Sequence, residues 1–166
     1  MTVPRPPHEL WIAVVVVVLD QAAKAIARTT LELHESVVVI PSFFSLTRVH
    51  NYGAAFGLMN AADFPFKTVA LSIVAALALG ALTWYGATLP AEQRLARLGL
   101  ALIVGGAAGN LVDRLGSGYV VDFFDFYWRD WHFWAFNVAD AAITVGVSLM
   151  ILDLLQIGRH RVSRAV

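Results

Sequence analysis

Two stretches of this chain place acids where a carboxylate is expensive. "GYVVDFFDF" carries Asp122 and Asp125 among aromatic and branched residues, and "FNVADAAITVG" carries Asn137 and Asp140 at the head of an apolar run. Two carboxylates held close together cannot both ionise cheaply, so they share a proton and titrate as a coupled pair. One form can then take a proton from water while the other gives one to a carbonyl oxygen or a leaving amine. That chemistry hydrolyses an amide with no metal, thiol or activated serine. Intramembrane acids serve ion and proton pathways equally well, and spacing alone does not separate the two readings.

Local spacing leaves other questions open too. Asp122 and Asp125 are three apart, so in an extended segment they face opposite ways, and nothing local says which one faces a pocket. Asn137 and Asp140 stand at i and i+3, where they also make a variant of the helix-capping box. Asn110, Asp113 and Arg114, at i, i+3 and i+4, project from one helical face. The glycines of "GGAAGN" just before them suit close helix packing as well as a ligand.

Composition says what must hold these groups. Of 166 residues, 58% are hydrophobic and only 14% charged, and mean hydropathy is +0.68. A soluble domain is nearer half apolar and a quarter charged, so this is the composition of one membrane-embedded domain. The zero formal net charge argues against a nucleic-acid partner, and the absence of cysteine excludes disulfides and thiolate sites. The five histidines (His8, His34, His50, His132, His160) make no His-x-x-x-His pair, so no helical zinc signature is present.

A bilayer crossing takes about 20 mostly apolar residues as helix. Four such spans are expected, at about residues 10–28, 68–87, 95–114 and 137–157, with connecting loops at about 29–67 and 115–136. The first stretch has a signal-peptide rival in "AIA", but Asp20 and Lys24 are one helical turn apart, a pairing that suits a helix that stays and packs. In the first loop "SVVVIPSFFSLTRVHNYG" reads as strands broken at Pro41, and "AAFGLMNAAD" as a short interfacial helix. The second loop has three tryptophans in "WRDWHFW", residues that favour the water–lipid boundary. Lys and Arg divide six against six between the two sides, so orientation rests on the unaccompanied arginines of the C-terminal tail, which place both termini in the cytoplasm.

Five motifs follow one another along nearly the whole chain: "DQAAK" (Asp20–Lys24), "NYGAAFG" (Asn51–Gly57), "GGAAGNLVDRL" (Gly105–Leu115), "GYVVDFFDF" (Gly118–Phe126) and "FNVADAAI" (Phe136–Ile143). In this order they resemble the lipoprotein signal peptidase family, signal peptidase II. The resemblance implies an α-helical integral protein of the bacterial inner membrane, with four transmembrane helices, a small extracytoplasmic β-cradle and a short interfacial helix. It implies an aspartic endopeptidase that uses no metal or other cofactor. Its substrates would be prolipoproteins with a diacylglyceryl lipobox cysteine, drawn from the membrane lipid and cut just before that cysteine. It also implies binding of the cyclic peptide globomycin.

The family's catalytic acids fall on Asp122 and Asp140. Asp20, Lys24, Asn51, Gly53, Asn110, Arg114 and Asn137 match positions that line or brace the site. Tyr52 departs from the small polar residue expected there, and Asp125 takes no role from the match.

Overall fold

The computed structural model describes residues 8–53 and 66–163, with side chains over 9–53 and 66–155. The element order is α1 (His8–Thr30), β1 (Ser36–Ile40), β2 (Phe44–Asn51), α2 (Lys67–Thr88), α3 (Arg94–Ser117), β3 (Val120–Trp128), β4 (Trp131–His132) and α4 (Val138–Ser163). Among the described residues four helices are long and apolar enough to cross a membrane, and with a small antiparallel sheet they give the fold class that the sequence leads one to expect. The interfacial helix expected over "AAFGLMNAAD" lies outside the described residues.

The bundle buries a polar cluster among small and apolar residues and presents an apolar outer surface. On α1 the inward stripe is Ala13, Val16, Asp20, Lys24 and Ala27, all buried, at spacings of three and four, and Leu31 just past the helix end is buried too. Val14, Val15, Val18, Leu19 and Ile26 point outward. Such outward residues meet lipid tails without penalty, so packing inside depends on small residues and on hydrogen bonds.

α3 is the central helix, packed by α1, α2 and α4. Its glycines bring the neighbouring backbones close. A Cβ on Gly105 would meet the Ala13 carbonyl of α1, and one on Gly106 the Ala139 carbonyl of α4. Gly99 and Gly146 face each other's carbonyl oxygens at the α3–α4 crossing. α3 ends at Gly118, whose φ of 81° lets the chain turn left-handed while its N–H bonds the Arg114 carbonyl at 3.1 Å. Two residues later β3 begins.

The sheet runs β1-β2-β3-β4, all antiparallel. β2 pairs with β3 through Val49↔Asp122, His50↔Val121 and Asn51↔Val120, with a register shift between Leu46 and Val49. One face of β3 puts Val121 and Phe123 against Ala23 and Ala27 of α1, and this seats the sheet on the end of the bundle. β2 buries its polar Ser45 and Thr47 and leaves Phe44 and Leu46 half-buried. Thr47 is satisfied inside by the Glu35 carbonyl at 3.1 Å. Trp128, Trp131 and Trp134 stand exposed around the β3–β4 hairpin.

Candidate active site

The sheet positions one acid and the last helix the other. Asp122 sits in β3 opposite Val49, on the side reached by Asn51, and is 3% exposed. Further along β3, Phe124 forms an isolated bridge with Phe136: the Phe124 N–H donates to the Phe136 carbonyl at 2.8 Å, and the Phe136 N–H donates back at 3.1 Å. Asn137 follows at once and α4 starts at Val138, so the strand itself delivers the helix N-terminus to Asp122.

Asn137 is the N-cap. Its Oδ1 accepts from the Asp140 N–H at 2.9 Å, and Asp140 Oδ2 accepts from the Asn137 N–H at 3.4 Å, completing the capping box. The same Asn137 turns its Nδ2 to Asp122 Oδ1 at 2.7 Å. A single residue thus bridges the two acids. The capping geometry read from sequence and a functional placement of Asp140 coexist.

Three asparagines serve the pair, and each is fixed in orientation by a donor on its oxygen. Asn51 accepts from the Gly53 N–H at 2.9 Å and donates to Asp122 Oδ2 at 3.0 Å. Asn110 accepts from Lys24 Nζ at 2.8 Å and donates to Asp140 Oδ1 at 2.8 Å. Asn137 accepts from the Asp140 N–H and donates to Asp122. All three amides therefore present N–H groups to carboxylate oxygens. That arrangement suits negative charge on the acids.

Asp122 is pushed up to about 7, first by burial and then by the Asp140 charge, against the lowering effect of the Asn51 and Asn137 hydrogen bonds. It therefore exchanges its proton near neutrality. Asp140 is less enclosed and stands in the first turn of α4, where the helix end favours negative charge. Arg114 donates to the Gly53 carbonyl at 3.1 Å and to its own helix at the Asn110 carbonyl, at 3.4 Å. It ties the Asn51–Gly53 turn to α3.

Behind the pair lies a buried ionic cluster. Lys24 reaches Asp20 Oδ2 at 2.8 Å and Asp113 Oδ2 at 2.9 Å, and Arg28 reaches Asp113 Oδ1 at 2.8 Å. Asp20 Oδ1 accepts the Ala139 N–H at 3.0 Å, which anchors α1 to the start of α4. The first span is thus part of the folded core. Gly109 makes room for Asp20: a Cβ there would lie 2.6 Å from Asp20 Oδ2. Gly109→Ala is expected to displace that carboxylate and lower stability by about 2 kcal/mol, read as an earlier melting transition in detergent. A melting transition left where it was would contradict the tight seat.

The structure brings together Asp20, Lys24, Asn51, Gly53, Asn110, Arg114, Asn137, Asp122 and Asp140. Asp113, Arg28 and Gln21, which donates to Asp113 at 3.3 Å, complete the cluster beyond the site residues expected from sequence. The i+4 continuation from Asp20 through Lys24 to Arg28 is the available signal for Arg28. Asp125 points away from the pair, with both its oxygens 3.0 Å from His132 Nδ1. Tyr52 is half-exposed, its ring near those of His50 and Tyr119.

The family model for signal peptidase (SPase) II matches residues 12–156. The chain belongs to the signal peptidase II family. The lipoprotein signal peptidase of Symbiobacterium thermophilum is 45% identical over 148 residues, covering 89% of this chain and 94% of its own. That of Geobacter sulfurreducens is 42% identical over 159 residues, covering 95% and 98%. Two solved structures, both described as bacterial membrane enzymes, superpose with a TM-score of 0.79. They share 35% and 33% identity, over 90% and 89% of this chain and 88% and 92% of theirs. Within this signal peptidase II chain, the acid pair, its asparagines and Lys24 form a cluster to which all five sequence motifs contribute.

Proposed function

We propose that the protein is an aspartic endopeptidase that removes the signal peptide from prolipoproteins whose lipobox cysteine carries diacylglycerol, cutting just before that cysteine. The observation that carries this reading is the bridging of Asp122 and Asp140 by Asn137, with Asp122 titrating near neutral pH.

In the resting pair Asp122 holds the proton and Asp140 is ionised. Asp140 takes a proton from a water whose oxygen attacks the scissile carbonyl carbon, while Asp122 gives its proton to the carbonyl oxygen. The product of this step is a neutral gem-diol, and the two acids have exchanged protonation states. The C–N bond then breaks: Asp140 returns its proton to the leaving nitrogen and Asp122 takes one from the diol. A carboxylic acid and an amine leave, and the pair is restored. Asn51, Asn110 and Asn137 steady the negative charge as it moves between the acids, and the guanidinium of Arg114 is close enough to feel both. The amide donors around the pair favour a mechanism without a metal, and no cofactor is required.

The substrate's acyl chains stay among the bilayer lipids while its peptide reaches the end of the bundle. A globomycin-type cyclic peptide would compete for the same cleft. The exposed tryptophans beside the sheet fit an interfacial position for this end. We place it at the outer face of the bacterial inner membrane, with both termini cytoplasmic.

Purified protein in bilayer discs, offered a diacylglyceryl precursor and its unlipidated counterpart, should cleave only the first, before the modified cysteine and at the same rate with chelator present. Equal cleavage of both precursors would remove the lipid requirement. Loss of activity with chelator would remove the metal-free mechanism.

A further inference from the structure

Lys24 touches neither acid of the pair, yet it decides how one of them is served. Its ammonium is wholly buried and spends all three N–H groups: on Asp20 Oδ2 at 2.8 Å, Asn110 Oδ1 at 2.8 Å and Asp113 Oδ2 at 2.9 Å. An asparagine amide can flip end for end, exchanging acceptor for donor. Here a flip of Asn110 would set its NH2 against the ammonium and its oxygen against Asp140. Both contacts would be repulsive in a buried setting. Asn51 and Asn137 are held by neutral backbone N–H groups; among the three, Asn110 alone is held by a charge.

We propose that Lys24 is a positioning residue for the acid pair: through Asn110 it keeps an N–H donor on Asp140 and so makes Asp140 the ionised partner. The proposal rests on the reading of Asp122 and Asp140 as acid and base. Among the described residues, the charged groups around Asp140 are few. α1 contributes Asp20, Lys24 and Arg28, α3 contributes Asp113 and Arg114, and β3 contributes Asp122. On α4 itself the nearest other acid is Asp153, about 20 Å along the helix axis. Asp20 and Asp113 balance Lys24 and Arg28, so the inner cluster is neutral as it stands. Loss of Lys24 would leave it with net negative charge, and would leave Asn110 Oδ1 held against a turn by the longer bond from Asn137 Nδ2, at 3.3 Å.

The test measures kcat and KM from pH 5 to 9, using full-length protein in bilayer discs and a diacylglyceryl lipobox peptide. Lys24→Met should move the acid limb of the kcat profile upward by at least about one pH unit. At neutral pH kcat should fall by about tenfold or more, with KM changing much less. Asp113→Asn removes a negative charge and leaves the Lys24–Asn110 contact in place, so the limb should move downward.

A Lys24→Met enzyme that is slower but has an unmoved limb would overturn the proposal, reducing Lys24 to a packing role. So would two variants whose limbs move the same way. If Lys24→Met does not accumulate as folded protein, Asn110→Ser, which removes the amide donor from Asp140, decides: an upward shift of the limb supports the proposal, and a downward or absent shift overturns it. Full activity in Asp122→Asn or Asp140→Asn would instead overturn the acid-pair reading, which separates the two failures.

Discussion

Asp122→Asn is expected to abolish cleavage while leaving a folded protein whose relative stability improves as pH rises. The loss of activity should be on the order of 10³-fold or more, because asparagine can neither hold nor release the transferred proton. The stability effect follows from the direction of the shift. The Asp122 carboxyl is raised from 3.8 to about 7 in the folded protein, mainly by burial. An acid raised in this way favours the fold while protonated, and that contribution drains away as pH climbs from the unfolded value through the folded one. An asparagine side chain does not ionise and carries no such burden. A shift of about 3 units corresponds to roughly 4 kcal/mol, so the variant should gain about that much relative to the parent between pH 4 and 7 and no more above it. Melting curves of both proteins across this range, followed by tryptophan fluorescence, provide the measurement. A constant difference at all pH values would mean that Asp122 titrates normally.

Gly146→Leu should be among the most damaging single changes within the helices. A Cβ at Gly146 would run into the Gly99 carbonyl and lie 2.8 Å from Ile103 Cγ1, and Gly99 in turn faces the Gly146 carbonyl. Backbone stands against backbone, so no side-chain rotation can relieve the clash and α4 must leave α3. A loss of about 3 kcal/mol or more is expected, together with loss of cleavage, because α4 also carries Asp140. Gly80→Leu on α2 is the control. A Cβ there meets nothing within 4 Å, so melting and activity should stay at the parent's values. Equal tolerance of both substitutions would refute the close α3–α4 crossing.

The helices were legible because hydrocarbon imposes a length and a composition on any segment that crosses it. The local geometry of the acids was legible in part. Odd spacing in an extended segment put Asp122 and Asp125 on opposite faces, and the strand does separate them, sending Asp125 to His132. Which of the two faces Asp140 could not be read locally, because that depends on the Phe124–Phe136 bridge and the start of α4. The Asn137–Asp140 capping box was visible in the spacing and is present. Asp113 was visible on one face with Asn110 and Arg114, but its place in the buried cluster depends on α1, 85 positions away at Arg28. The buried polar Ser45 and Thr47 run against the usual pattern of a strand, and Thr47 is accommodated by the Glu35 carbonyl rather than by water.

The hydrogen bond from the Ala139 N–H to Asp20, across 119 positions of sequence, has a bearing on biogenesis. Chains grow from the N-terminus, so the first span enters the bilayer carrying Asp20 and Lys24 long before the last span leaves the ribosome. Until then the Asp20 carboxylate lacks its final partner, and Asp140 does not yet exist beside Asp122. On the acid-pair reading, the protease is therefore inert throughout its own synthesis and insertion, and becomes competent only when its last helix docks.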